Sequence, residues 1–394
     1  MARFMMNTPE GTRDLLYGEC YLRRQVQQKL TEVFRRCGYS EIATPVVEYY
    51  DVFTRAGSTV QQEGTLKMID RSGRILVLRP DCTLPIARVA ATHLRHEPLP
   101  RRLFYNETIF RAATANAGHM SEVDQCGIEL IGASGQRADA EVVAIALEAL
   151  QNCGIQNYRI ELGHAGFFKA LADELQADGE QVETIRTLIE QKSFAALDDL
   201  LQERFSDRPS YPALRRLSRL FGGAEVLDEA RNLTKNSAAL QALDELSTVY
   251  EELCTAGWSE YVGFDLGLVH QIDYYTGMVF CGYVEGFGHV VVAGGRYDAL
   301  MEKFGRQAPA TGFAIDVDGV ASALPEAEQP VAQKLVHYAA GSLSAAMQLQ
   351  RSAAAGSIEL SCCKTEEESR RLAREKGIGT LVLLDPDGVR EEQV

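Results

Sequence analysis

Two extended runs, at residues 102–111 and from about 122 onward, constrain this chain more than any other feature. A loop of small residues joins them, at positions 112–118. Successive strand residues point to opposite faces, so the second run reads by parity. Val123, Gln125, Gly127, Glu129 and Ile131 share one face, and Asp124, Cys126, Ile128 and Leu130 share the other. The first face therefore carries an amide and a carboxylate on either side of a glycine, which leaves room beside the backbone. A buried Gln and Glu are costly unless something hydrogen-bonds to them. A small polar ligand with amine or imidazole N–H groups would do so. A polar face that simply meets water fits the same spacing. At this point both readings stand.

Bulk properties narrow the classes. A chain of 394 residues has room for two or three domains and a substantial core. Its net charge of −15 argues against a large nucleic-acid surface, which needs clustered Lys and Arg. No apolar run approaches the roughly 18 residues of a membrane span. Residues 1–10 show no apolar core of a secretory signal. Nine cysteines are scattered without a C-x-x-C pair, and only Cys362 and Cys363 are adjacent, so neither a disulfide framework nor a zinc knuckle is expected. The expected compartment is the reducing cytoplasm. His93 and His96, three apart on a predicted helix, have no further ligand pattern around them and read as structural or simply exposed.

Periodicity organises the rest. Leu22, Val26, Leu30, Val33 and Phe34 predict a helix over 19–37, stopped by Gly38. An extended segment at 40–44 precedes Pro45. Strands at 65–69 and 74–78 flank an Asp70–Gly73 turn, and a helix over 83–96 follows with Thr83 as its N-cap. Another helix is expected at 138–152 and a strand at 158–162. From about 166 to 257 strand signals give way to helical spacing, which predicts a helical insertion. Strands resume at 262–269, 278–284 and 289–293, with residues 286–288 as a turn. Gly294-Gly-Arg-Tyr-Asp298 is expected to open a helix, and a strand follows at 311–317. Hairpin-ordered strands with segregated helices predict an α+β fold with an antiparallel sheet core over residues 1–325. After a linker at 325–330, residues 331–394 predict a small α/β unit. Its strands are at 334–339, 357–361 and 379–384, and its helices at 342–354 and 366–375.

Six motifs occur in one order: Thr8-Pro-Glu-Gly-Thr-Arg-Asp14, Leu78-Arg-Pro-Asp-Cys-Thr83, Phe110-Arg111, Gln125-x-Gly-x-Glu129, Asp273-Tyr-Tyr-Thr-Gly277 and Gly294-Gly-Arg-Tyr-Asp298. Together they resemble the catalytic core of histidyl-tRNA synthetase, a class II aminoacyl-tRNA synthetase fold, over about residues 8–324. The resemblance implies a pocket for free histidine formed by Asp81 (where the family usually has Glu), Thr83, Arg111, Gln125, Glu129, Tyr274, Tyr275 and Tyr297. Carboxylates suit an ammonium or an imidazole N–H, and tyrosine hydroxyls orient the ring.

The departures from that pattern are as informative. Arg111 matches the second-motif arginine, but Ala113 stands where a glutamate contacts the purine. His119 and Ser121 stand at two loop arginines, and His270 and Gln271 stand at the arginine and glycine before the tyrosine pair. Gly319, within Asp316-Val-Asp-Gly319, stands at the third-motif arginine. Adenylate formation needs several positioned cations around ATP, so these changes imply a chain with no catalytic residues of its own. The C-terminal unit is short for an anticodon-binding domain and has acidic stretches such as Glu366-Glu-Glu368. This pattern resembles the regulatory subunits of ATP phosphoribosyltransferase. That resemblance implies a non-catalytic subunit, required for the first step of histidine biosynthesis and mediating feedback by histidine. It implies a short-form catalytic subunit as partner, a homodimer within a hetero-octamer, no tRNA, no membrane, no metal and no cofactor. Regulatory histidine would bind either in this pocket or at a subunit interface. A divergent histidyl-tRNA synthetase and a histidine- or tRNA-sensing paralogue are the alternative readings.

Overall fold

The computed structural model describes residues 6–54, 64–112, 120–269, 275–326, 332–386 and 388–394. The chain divides into two compact units, Met1–Leu15 with Leu22–Pro325, and Leu16–Tyr21 with Glu326–Val394.

A nine-stranded sheet organises the larger unit. Its spatial order is Ser40–Glu41, Arg101–Phe110, Glu122–Ile131, Ala310–Asp316, Val292–Arg296, Met278–Val284, Tyr158–His164, Val262–Asp265 and Phe221–Gly222. Two pairings are parallel, Ser40–Glu41 with Leu103–Phe104 and Ile160–Leu162 with Val262–Phe264; the remaining ladders are antiparallel. The Glu122–Ile131 strand lies inside the sheet, between Arg101–Phe110 and Ala310–Asp316. Its parity holds. Cys126, Ile128 and Leu130 enter a core shared with the Tyr17–Arg36 and Gln136–Cys153 helices. Ile131 and Val123 join a second cluster on the opposite face, with Leu103, Tyr105 and Tyr297.

The first long helix follows its apolar spacing: Val26, Leu30, Val33 and Phe34 are buried, and the helix runs from Tyr17 to Arg36. The helical insertion is present as helices from Ala165–Asp173 to Ser237–Thr255. It contains one strand that the spacing missed, Phe221–Gly222, which adds to the sheet edge at Phe264–Asp265. A two-residue strand carries too little alternation to read. The predicted hairpin is observed as Lys67–Ile69 and Ile75–Leu78, joined by Val47–Tyr49 into a separate three-stranded sheet.

Two expectations need correction. The helix after residue 82 spans Thr83–Ala91, with Cys82 and not Thr83 at the N-cap. The capping bond comes from Asp81, whose Oδ1 accepts from the Leu84 N–H at 2.9 Å. The Gly294–Asp298 motif does not open a helix. Its first three residues end the Val292–Arg296 strand, and the next helical turn is the short Met301–Phe304 segment. Gly294 is a strand glycine because its neighbours come close: a Cβ there would lie 2.5 Å from the Gly312 carbonyl and 2.6 Å from the Phe280 ring.

The smaller unit has the expected parallel strands Lys334–Tyr338, Ile358–Leu360 and Thr380–Asp385, with helices Leu343–Ser352 and Glu366–Glu375. An antiparallel edge strand, Gly388–Gln393, extends the sheet.

Candidate functional site

The sheet face that carries Gly127 and Glu129 supports a buried polar cluster. Glu129 is only 2% exposed, although it sits on a strand. The Thr83 hydroxyl, at the start of its helix, donates to Glu129 Oε1 at 2.6 Å. The Tyr297 hydroxyl, one residue beyond the Val292–Arg296 strand, donates to Oε2. Glu129 is directly opposite Gly312 in the ladder, and any Cβ at 312 would overlap its Oε2. A glycine on one strand thus clears space for a carboxylate on the next.

Electrostatics follow from that burial. Desolvation pushes the Glu129 carboxyl well above its usual range; the Thr83 hydrogen bond pulls it back and the Asp81 charge adds to the rise. Asp81 is raised for the same first reason, against the opposing pull of the Leu84 N–H and of Arg111. Burial likewise raises the Tyr275 phenol, with the charges of Cys281, Asp81 and Glu129 adding to it. These mutual effects place Asp81, Glu129, Tyr275 and Arg111 in one electrostatic neighbourhood. Arg111 is exposed, and its Nε donates to the Pro80 carbonyl at 3.3 Å. Gln125 is half-buried on the same strand face as Glu129. Of the eight residues expected from sequence, Tyr274 lies outside the described residues.

Two residues escaped the sequence reading. The space beside Gly127 is not open: a Cβ there would lie 2.5 Å from the Tyr105 hydroxyl, so the Tyr105 ring crosses the strand between Gln125 and Glu129. Parity applied to the first extended run would have found it. Arg296, one residue before Tyr297, is buried and donates to Asp139 Oδ2 at 3.1 Å, Asp298 Oδ1 at 2.9 Å and the Ala133 and Gly135 carbonyls at 3.2 Å. That network pins the backbone that carries Tyr297 into the buried cluster.

The histidyl-tRNA synthetase family model matches residues 11–320. A regulatory subunit of ATP phosphoribosyltransferase from Clostridium kluyveri is 44% identical over 326 residues, covering 82% of this chain and 83% of its own. One from Clostridium novyi is 39% identical over 393 residues, covering 98% and 93%. The crystal structure of an ATP phosphoribosyltransferase regulatory subunit/histidyl-tRNA synthetase from Bacillus halodurans C superposes with a TM-score of 0.86 at 31% identity, covering 97% of this chain and 99% of that one. The chain belongs to the ATP phosphoribosyltransferase regulatory subunit family.

In this regulatory subunit, two of the positions that lack the expected arginines, Gly319 and Ser121, are described, and both are packed. At Gly319 a Cβ would meet Phe287 at 3.0 Å and Val291 at 3.1 Å, so a long side chain needs its neighbours to move. Ser121 is buried against the Thr8–Thr12 turn, with its N–H donating to the Gly11 carbonyl at 2.7 Å. Asp316 caps the helix that follows, accepting from the Gly319 N–H at 3.0 Å. Asp318 is gripped by Arg23, whose Nε and Nη2 donate at 2.8 and 3.0 Å, while Nη1 reaches Asp124 at 3.1 Å. Ala113, His119, His270 and Gln271 lie outside the described residues.

Proposed function

We propose that this subunit, which serves histidine biosynthesis, binds free histidine in the pocket around Glu129 and carries out no aminoacylation chemistry. The carrying observation is the buried Glu129 carboxyl, met by two hydroxyl donors and by no cation among the described residues. A ligand ammonium or imidazole N–H supplies what is missing, and its charge favours the ionised carboxylate that burial alone disfavours. Asp81, Thr83 and Tyr297 share the polar contacts, Tyr275 walls the ring, Gln125 offers its amide, and Arg111 faces the ligand carboxylate.

The absence of catalysis is supported by the packing at Gly319 and Ser121 and by the acidic Asp316–Asp318 segment, since ATP phosphates need cations where these residues stand. The partner is the short catalytic subunit that condenses ATP with phosphoribosyl pyrophosphate. If the regulatory subunit favours the active arrangement and histidine binds the inhibited one better, histidine shifts the population back by its differential affinity.

A cytoplasmic homodimer within a larger assembly fits one further feature. In the small sheet, Val47, Tyr49, Leu76, Leu78 and Met68 share one face by register, and Val47, Tyr49 and Met68 are 40%, 45% and 40% exposed. A contiguous apolar sheet face of this kind marks a protein interface.

Calorimetric titration of histidine into the purified chain and its Glu129→Gln variant tests the pocket; equal binding by both removes it. The family match over residues 11–320 favours a second reading, an active histidyl-tRNA synthetase. Histidine-dependent pyrophosphate exchange would establish that reading, and its absence supports the regulatory one.

A further inference from the structure

The segment that carries Tyr275 is tied to the helical insertion at its first turn. Ala165, which opens the Ala165–Asp173 helix, donates its N–H to the Gly277 carbonyl at 3.0 Å. The same residue packs with Leu268 and Val279 in the small apolar cluster against which Tyr275 lies. From the other side, the Thr276 N–H donates to the Arg296 carbonyl at 2.7 Å, and the Thr276 hydroxyl accepts from the Asp298 N–H at 2.9 Å. Residues 275–277 are therefore held between the strand that leads to Tyr297 and the start of an insertion helix.

A buried histidine sets that first turn. His164 ends the Tyr158–His164 strand and is the N-cap of the helix. Its Nδ1 accepts from the Gly166 N–H at 3.1 Å, and a Cβ at 166 would lie 3.0 Å from that nitrogen, so the ring sits against the turn. A backbone N–H can only donate, so Nδ1 holds the lone pair and Nε2 the proton. Nε2 donates to Glu245 Oε2 at 3.2 Å, on the Ser237–Thr255 helix. That bond holds the Glu245 carboxyl below its ordinary range, against burial, with Gln241 and Gln136 assisting. Glu245 is the charged group bonded to the ring among the described residues. The Gln136–Cys153 helix brings only the neutral Gln136 to the same carboxylate, and Met278 lies across the ladder from His164. A second proton, on Nδ1, would turn the acceptor into a donor facing the Gly166 N–H. The Glu245 bond survives that change and the cap does not.

We propose that His164 is a positioning residue for the pocket: its neutral imidazole caps the Ala165–Asp173 helix, and Ala165 in turn fixes residues 275–277. The proposal rests on the reading of the pocket as a histidine site. Losing the cap lowers the population that has Tyr275 in place, and apparent affinity falls by that fraction. The test compares the full chain with His164→Ala, which removes the acceptor, and His164→Asn, whose side-chain oxygen caps without titrating. Calorimetry at about pH 8 should show histidine binding about threefold to tenfold weaker in the alanine form and within about twofold of wild type in the asparagine form. The affinity ratio of wild type to His164→Asn cancels titration of the ligand and of Glu129. It should fall by about threefold or more between about pH 8 and about pH 5.5. Without ligand, the Thr276 amide should exchange faster in the alanine form and recover in the asparagine form. That exchange result, with no histidine bound by wild type, would sink the pocket reading and uphold the coupling. Should the alanine form unfold, the pH dependence of the ratio and of wild-type Thr276 exchange decide. Unchanged Thr276 exchange, an asparagine form that binds as weakly as alanine, or a ratio flat with pH would overturn the proposal.

Discussion

Replacing Glu129 with glutamine separates a binding role from a structural one. The change is isosteric, and the Thr83 and Tyr297 hydroxyls stay within reach of the amide. One of them must turn to accept from the new NH₂, so a charge-assisted bond becomes neutral, at a cost of about 1.5–3 kcal/mol. Against this, the variant no longer buries an ionisable group whose carboxyl desolvation raises well above its usual value. The two effects oppose each other, so the loss of stability near neutral pH should be smaller than the about 1.5–3 kcal/mol of the bond alone. The sign of the pH dependence is also set. A carboxyl with a raised folded value gives its full stability below its unfolded value, and loses it as pH rises through the folded one. Wild type should therefore lose stability from the ordinary carboxylate range upward, and Glu129→Gln should flatten that slope. Histidine affinity should fall further than stability does. Losing the anion of a buried ammonium–carboxylate pair costs about 2–5 kcal/mol, roughly thirtyfold or more in Kd. Urea unfolding between pH 4 and 9, paired with calorimetry, reads both quantities. A variant that unfolds far more easily yet binds histidine normally would refute the reasoning.

Further outcomes follow from the same contacts. Histidine binding favours the Glu129 carboxylate, so histidine affinity measured by calorimetry across pH should rise as that carboxyl titrates, and Glu129→Gln should lose this contribution. Gly319→Arg should not create pyrophosphate exchange and should destabilise by about 1–3 kcal/mol through overpacking against Phe287 and Val291, measured by thermal unfolding. Arg23→Ala leaves Asp318 and Asp124 facing each other without their shared cation; the side chains are 20%, 26% and 10% exposed, so partial solvation should limit the loss to about 1–3 kcal/mol. A Tyr49→Glu/Met68→Glu variant should shift the chain from dimer to monomer in sedimentation equilibrium, and an unchanged dimer would locate self-association elsewhere.

What the sequence disclosed, and what it hid, has a physical pattern. Alternation over residues 123–131 predicted both faces of an interior strand, because each face meets a different core. It also placed Gln125 and Glu129 together. The Gly294-Gly295 pair was misread as opening a helix because nothing in its local sequence marks these glycines as strand residues. Here it permits close approach by the Gly312 carbonyl and the Phe280 and Tyr275 rings, which come from distant parts of the chain. Arg79 was missed for a related reason. It is 1% exposed, which is rare for arginine, and is tolerated because Thr44, Glu107 and the Thr108 carbonyl satisfy its guanidinium. Three segments must fold before those acceptors meet, so no local pattern announces them. The Gly388–Gln393 edge strand is mostly polar on both faces and lacks the alternation of a half-buried strand.

The decisive measurement is the rate of ATP and phosphoribosyl pyrophosphate condensation by the catalytic subunit, with this chain added and histidine titrated in. Addition of the chain should raise the rate, wild type should confer inhibition by histidine, and Glu129→Gln should still activate while inhibition moves to at least about tenfold higher histidine. No activation, or the same inhibition curve with both forms, would contradict the account.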